Sequence, residues 1–261
     1  MIVSDLQSPV PGCPLLDLDL RDGTRAAVVQ RDAAQIVAIE AWQFELPRLL
    51  RLPIVRLVDK TTAVVADRLS DGTPNAWLLQ TGVGVVAHFF AGNGITEAVS
   101  VGGELVVGYD DEAIHGRLPH GSEGIAVFSL EGAFRWGYNS SFGGRSETSI
   151  SDCYCACAAP DGRVWFQTYS DRGLIVLDIR SKTQQWVIPP RDLRMSNALS
   201  SDGVHHWFFG PWENDRTIFK WSPPDPEPTF IGRFDGELRG LTGGRFISVT
   251  PTGARLVEVA V

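Results

Sequence analysis

Four short apolar runs, each broken by Gly, Asp, Ser or Pro, recur along the chain as a unit, and this repetition narrows the possible folds more than any other feature. Residues 149–190 show the unit most clearly, as SISDCYCACAAPDG, RVWFQTYSD, RGLIVLDIRSK and TQQWVIPP. Four strands of that length with tight turns between them make one antiparallel meander, about the size of one propeller blade. Comparable groups occupy residues 14–53, 54–93, 95–141, 195–234 and 238–261. About 23 strands thus fall into six groups spaced near 40 residues, as radial repetition requires.

The expected fold is an all-β propeller of six four-stranded antiparallel blades, one domain over residues 1–261 with an irregular segment at 1–12. The last group holds only three strands, LRGLTGG, RFISVTPTG and ARLVEVAV. An N-terminal segment could supply the fourth and remove the exposed edges. Leu15 to Leu20 is apolar enough to pair beside Leu256 to Val261. That use would shrink the first blade and allow a five-bladed count. A β-sandwich or two small β domains would also alternate strands and turns. The recurring second strand (VVADRLSD, VVGYDDE, WFQTYSD, WFFGPWEND) favours the propeller.

A formal charge of −8 without any Lys/Arg-rich block argues against nucleic acid as a partner. No apolar stretch approaches membrane-spanning length, and MIVSDLQSPVPG lacks the features of a secretory signal. Cys153, Cys155 and Cys157 alternate along one strand, which would point all three the same way with neighbouring Cα atoms about 6.6 Å apart. That spacing is poor for a disulfide, and the three together span too far to close around one zinc ion. Buried packing in a reducing, cytoplasmic setting is expected. His205 and His206 lie inside one strand and face opposite ways, so they are not a metal pair.

In a propeller the first strand of each blade lines the central channel, and the loop between the second and third strands opens on the same face as the links between blades. Near the starts of four first strands stand Glu97, Asp152, Asn197 and Arg239. The first-blade equivalent is Asp17, and the second-blade one is apolar, near Ile54 or Val55. Oxygen ligands converging from separate blades suit a hard divalent cation, Ca²⁺ or Mg²⁺, so Glu97, Asp152 and Asn197 are candidate ligands. The competing reading pairs the channel carboxylates with Arg239, since a buried charge needs a partner. No fingerprint for a nucleotide or organic cofactor is present.

The insertion from Tyr109 to His120 is the longest within any blade, and long loops on a rigid scaffold carry function. His115 and His120 are its acid–base candidates, the plain alternative being two solvated loop histidines. The links YNSSFGGRSET and PPRDLR bring Asn139, Arg145, Arg191 and Arg194 toward the same face. Trp212 could stack on a ligand ring or cover a blade edge.

AAPDGRVWFQTYSDRGLIVLDI resembles the PDG-x-[LV]-W-[FV] blade signature of NHL-type, streptogramin-lyase-type and gluconolactonase/regucalcin-type propellers. MSNALSSDGVHHWFFGPWENDRTIFKW is similar to the SNGLxxSxDGxxxY blade of the last group, with Ala198 where that signature has Gly. The resemblance implies a divalent metal on the channel axis, with Asn197 matching the signature asparagine, Asp152 the start of another inner strand, and Glu97 the glutamate, without the GEGP sequence that follows it in that group. Two functions are therefore open. One is a metal-assisted hydrolase or lyase of a lactone-like or cyclic ester, with His115 or His120 moving the proton and Arg239, Asn139, Arg145, Arg194 and Trp212 contacting substrate. The other is a non-catalytic module presenting the same face to a small molecule or a protein.

Overall fold

The computed structural model describes residues 1–143, 149–169, 173–211 and 215–259. Strand β1 (Ile2–Leu6) opens the chain, and the first blade follows as β2 (Leu15–Arg21), β3 (Thr24–Arg31), β4 (Ala34–Ile39) and β5 (Trp42–Glu45). The second is β6 (Pro53–Leu57), β7 (Thr62–Asp67), β8 (Ala76–Gln80) and β9 (Gly84–Phe89). The third is β10 (Ile95–Val101), β11 (Glu104–Tyr109), β12 (Ile125–Ser129) and β13 (Phe134–Gly137). The fourth is β14 (Cys153–Ala158), β15 (Arg163–Thr168), β16 (Leu174–Asp178) and β17 (Thr183–Val187). The fifth is β18 (Ala198–Ser201), β19 (His206–Phe209), β20 (Thr217–Trp221) and β21 (Thr229–Arg233). The sixth is β22 (Arg239–Gly240), β23 (Arg245–Thr250) and β24 (Gly253–Glu258), and its outer strand is β1.

Among the described residues the strands form six four-stranded antiparallel sheets, so the protein is a six-bladed propeller. The closure differs from the expected one. Residues 1–12 are not irregular throughout: Ile2–Leu6 pairs with β24 from Ile2 opposite Glu258 to Leu6 opposite Ala254. Leu15 to Leu20 instead belongs to the inner strand of blade one, which leaves that blade whole and settles the count at six. No helix among the described residues is long and apolar enough to cross a membrane.

The core is divided among the seams between blades. Each of six buried clusters draws apolar side chains from two adjacent blades, and the sixth seam, between the last blade and the first, joins Leu18, Val29 and Ala38 to Ile247, Ala254 and Leu256. Middle strands of the blades carry side chains into both flanking seams, which is why sequences such as TAVVAD, IAVFS and LIVLD read as nearly unbroken apolar runs. Blades five and six approach closely at one point: a Cβ on Gly240 would overlap the Leu199 carbonyl, so only glycine fits there.

The cysteines do not share one face. A bulge between Cys153 and Cys155 turns Cys153 into the seam with blade three, while Cys155 and Cys157 enter the seam with blade five. All three are free and buried, and burial raises their thiols.

His205 and His206 divide as expected. His205 Nδ1 lies 2.9 Å from Asp202 Oδ2, whereas His206 is wholly buried, its ring 4.0 Å from that of Trp165 and 6.1 Å from that of Trp221. Burial lowers the His206 pKa to about 4, with the charges of Asp202, Arg163, His205 and Asp161 making smaller and opposing contributions. An unfolded histidine titrates near 6.5, so between those values the unfolded chain binds the extra proton. His206 should therefore contribute full stability above about pH 6.5 and lose it as pH falls toward 4, by something on the order of 3 kcal/mol. Urea denaturation at pH 7 and pH 4.5 checks this: His206→Phe should lose less stability than the parent between the two.

Candidate functional site

The inner strands deliver a network of charge to the channel. Arg56 stands in β6 between Val55 and Leu57, with its side chain only 7% exposed. Its Nη1 donates to Asp17 Oδ2 at 2.7 Å, and its Nη2 and Nε donate to Glu97 Oε1 at 2.5 and 2.8 Å. It also donates to the carbonyls of Val55 and Ala98. The carboxylates are held from the backbone as well: Asp17 accepts from the amides of Leu18 and Val55, and Glu97 from that of Ala98. A second pair lies beside this one, Arg239 Nη2 donating to Asp19 Oδ1 at 2.8 Å and to the Leu18 carbonyl at 2.9 Å.

Burial opposes these charges, and the partners outweigh it. Desolvation would lower the Arg56 pKa, yet Glu97, Asp17 and Asp19 together raise it. Desolvation would likewise raise the Asp19 carboxyl, but Arg239, Arg56 and the Leu57 amide hold it below the ordinary carboxylate value. Arg56 and Asp19 therefore stay ionised at neutral pH.

Arg56 and Arg239 divide the channel, because both line the cavity at each mouth. The upper cavity has a volume of about 740 Å³ and opens on the side of the links between blades. Its wall includes Arg51, Arg68, Thr96, Tyr154, Asn197 and Glu237, above a floor of Asp17, Arg56, Glu97 and Arg239. The lower cavity, about 460 Å³, lies beyond the same two arginines.

Of the residues singled out from sequence, Glu97, Asn197 and Arg239 reach the upper mouth. Glu97 is paired with Arg56, and Arg239 takes Asp19 rather than Glu97. Asp152 does not line the mouth. Its carboxyl is raised to about 6 by burial and then by the charges of Asp111 and Asp110 in the blade-three insertion. Its neighbour Tyr154 does face the cavity, with its hydroxyl 3.7 Å from Met195 Sδ and raised to about 12 by burial and by Asp152. Glu97 and Asn197 thus line one cavity, and Asp152 is not among its lining residues. Among the described residues no three His, Cys, Asp or Glu side chains gather closely enough to hold a metal.

The histidine candidates lie away from the channel, because the insertion folds onto the seam between blades two and three. Its short helix α1 (Asp111–Ile114), capped by the Asp110 side chain, buries Ala113 there. His115 caps that helix in solvent. His120 packs as an aromatic, stacked on Phe134 at 4.7 Å and edge-on to Phe128 at 5.1 Å, and burial lowers its pKa. Asn139 stitches two loops, donating to the Ser122 and Ile150 carbonyls and accepting from the Ile150 amide. Arg194 is half-buried behind the link and outside the cavity wall. Arg145 and Trp212 lie outside the described residues.

Arg56 is the site residue that sequence reasoning passed over, since its strand reads as apolar near Ile54 and Val55. The available signal was a lone arginine inside PIVRLV, flanked by blades offering Asp17 and Glu97. A buried arginine requires such partners.

No protein-family model and no curated protein matches the sequence. Solved structures do match in fold over nearly the whole chain. Virginiamycin B lyase from Staphylococcus aureus aligns with a TM-score of 0.53 and 13% identity, covering 100% of this chain and 99% of that one. A streptogramin B lyase aligns at 0.50 and 10%, covering 99% and 98%. The WD40 repeats of RRP9 align at 0.61 and 8%, covering 99% and 97%. At these identities the likeness establishes the propeller fold, which enzymes and interaction scaffolds share.

Proposed function

We propose that this propeller binds a small molecule in the upper mouth of its channel, in direct contact with Arg68, Tyr154 and Asn197. The observation that carries the reading is the cavity itself. Its volume of about 740 Å³ lies within the range of small-molecule sites, and convergent polar groups stand on a rigid charged floor. The binding reading is favoured over metal-assisted hydrolysis or lysis by the geometry of the oxygen donors. Asp152 stands off the mouth, and a cation on Glu97 would meet the Arg56 guanidinium bonded to the same carboxylate. Repulsion between like charges at such a distance opposes cation binding.

A crystallographic fragment screen tests the proposal. Hits should collect in the upper mouth and disappear in Asn197→Trp, which fills the cavity from an exposed position. Hits confined to the outer cleft lined by Arg135, Asp178 and Arg180 would overturn it. Turnover of a lactone or cyclic ester that needs Ca²⁺ or Mg²⁺ and is lost in Asn197→Ala would overturn it in favour of the metal-assisted reading.

A further inference from the structure

Of the four arginines at the upper mouth, two are committed to carboxylates and two are not. Arg56 is taken by Asp17 and Glu97, and Arg239 by Asp19. Neither Arg51 nor Arg68 forms an ion pair among the described residues. The remaining carboxylate on the wall, Glu237, is exposed; with the floor included, Arg51, Arg56, Arg68 and Arg239 meet Asp17, Asp19, Glu97 and Glu237, so this mouth is neutral in a chain of net charge −8.

The backbone brings the two residues that carry these guanidinium groups together. The Arg68 amide donates to the Leu52 carbonyl at 3.0 Å, which joins the link carrying Arg51 to the end of β7. Asp67 locks the same junction: its carboxylate accepts from the amides of Arg51 and Leu52 at 3.0 Å and of Leu69 at 3.3 Å. This nearby negative charge is thereby turned onto amides, and it pairs with neither guanidinium. The Arg68 carbonyl accepts from the Ile95 amide, while its side chain is planted on blade three, Nε donating to the Ile95 carbonyl at 2.7 Å and Nη2 to that of Thr96 at 3.0 Å. These contacts fix the Arg68 fork and leave N–H groups over for a ligand. Arg51 is exposed, and its side chain makes no hydrogen bond among the described residues.

We propose that Arg51 and Arg68 hold an anionic oxygen group of the ligand, a carboxylate or a phosphate, against the blade-two wall of the upper mouth. The inference rests on the small-molecule reading above and adds the ligand's charge class. The Arg68 fork is fixed in place and Arg51 stands on the adjoining link; guanidinium groups match the oxygens of both anions, and charge-assisted hydrogen bonds are the strong ones. Across the cavity Asn197, Tyr154 and Glu237 would face the uncharged or hydroxyl-bearing part of the molecule.

Calorimetric titration of the full chain with benzoate, inorganic phosphate and benzamide at constant ionic strength tests the assignment. Benzamide has the shape of benzoate without its charge. At least one anion should bind saturably and benzamide should not, and the choice between benzoate and phosphate identifies the group. Arg51→Glu should weaken the anion by roughly tenfold or more, with an unchanged thermal midpoint because no partner of that side chain is lost. Benzamide binding as tightly as benzoate, indifferent to Arg51→Glu, would overturn the anion assignment and leave the cavity reading standing. Anion binding that Arg51→Glu leaves intact would also overturn it, and no binding of any probe would sink both.

Discussion

Arg56→Ala is expected to lower the stability of the propeller by about 3–5 kcal/mol, the cost of leaving buried charges without their partner. The side chain is almost wholly buried and serves Asp17 and Glu97 at once, so its loss strands two carboxylates from neighbouring blades. Each keeps amide donors, from Leu18 and Val55 or from Ala98, which lessens the penalty without replacing the cation. Arg56→Ala combined with Asp17→Asn and Glu97→Gln should recover much of the loss. Urea denaturation of the single and triple variants at pH 7 checks both the loss and its recovery. A single variant as stable as the parent at pH 7 would mean the network is not what neutralises the channel. In the parent, Asp19 runs in the ordinary direction for a carboxyl held low: its contribution is complete above about pH 3.9 and is lost as pH falls through its depressed folded value.

Deleting residues 2–6 should cost roughly 4 kcal/mol, taking about 1 kcal/mol for each backbone hydrogen bond of the closing strand. Those five residues are mostly exposed, so their value lies in the ladder with β24 more than in buried surface. Without them β24 becomes the outer edge of the sixth blade, next to the seam that joins the last blade to the first. An unpaired edge is a template for another chain, so the truncated protein should also aggregate at lower temperature. A synthetic peptide of residues 1–8 added in trans should restore part of the thermal midpoint. Truncation that changes neither midpoint nor aggregation would show that the ring is held by its seams alone.

The blades were legible in the sequence because turns and apolar runs repeat at one spacing, and local chemistry sets both. What escaped was decided between blades. The strand Ile2–Leu6 is short, half polar and followed by Pro9 and Pro11, and only its distant partner β24 makes it a strand. Cys153 departs from simple alternation because a bulge inserts one residue against β15, and no composition signal marks it. Arg56 hid in an apolar strand because its partners lie 39 and 41 residues away. Glu97, Asn197 and Arg239 were found by asking which residues open each inner strand, a question whose answer depends on geometry alone. Asp152 satisfied the same rule, one residue before its inner strand as Asn197 is, yet it is not among the residues lining the mouth, and no local signal separates the two. His120 was a reasonable acid–base candidate by residue type. Its aromatic neighbours Phe128 and Phe134 come from strands that follow it, and they decide its role.

The central claim is that Arg56 and Arg239 are the cations paired with the carboxylates beneath the upper mouth. Scanning calorimetry of the full chain with increasing Ca²⁺, Mg²⁺, Mn²⁺ or Zn²⁺ at fixed ionic strength tests it most directly. An ion bound by the folded state adds about 2.7 kcal/mol at a hundred times its dissociation constant, a shift well within reach of the method. The expected result is a thermal midpoint that does not respond to any of the four ions. A saturable rise with one of them, abolished by Asn197→Ala, would contradict the claim and return the mouth to a metal site.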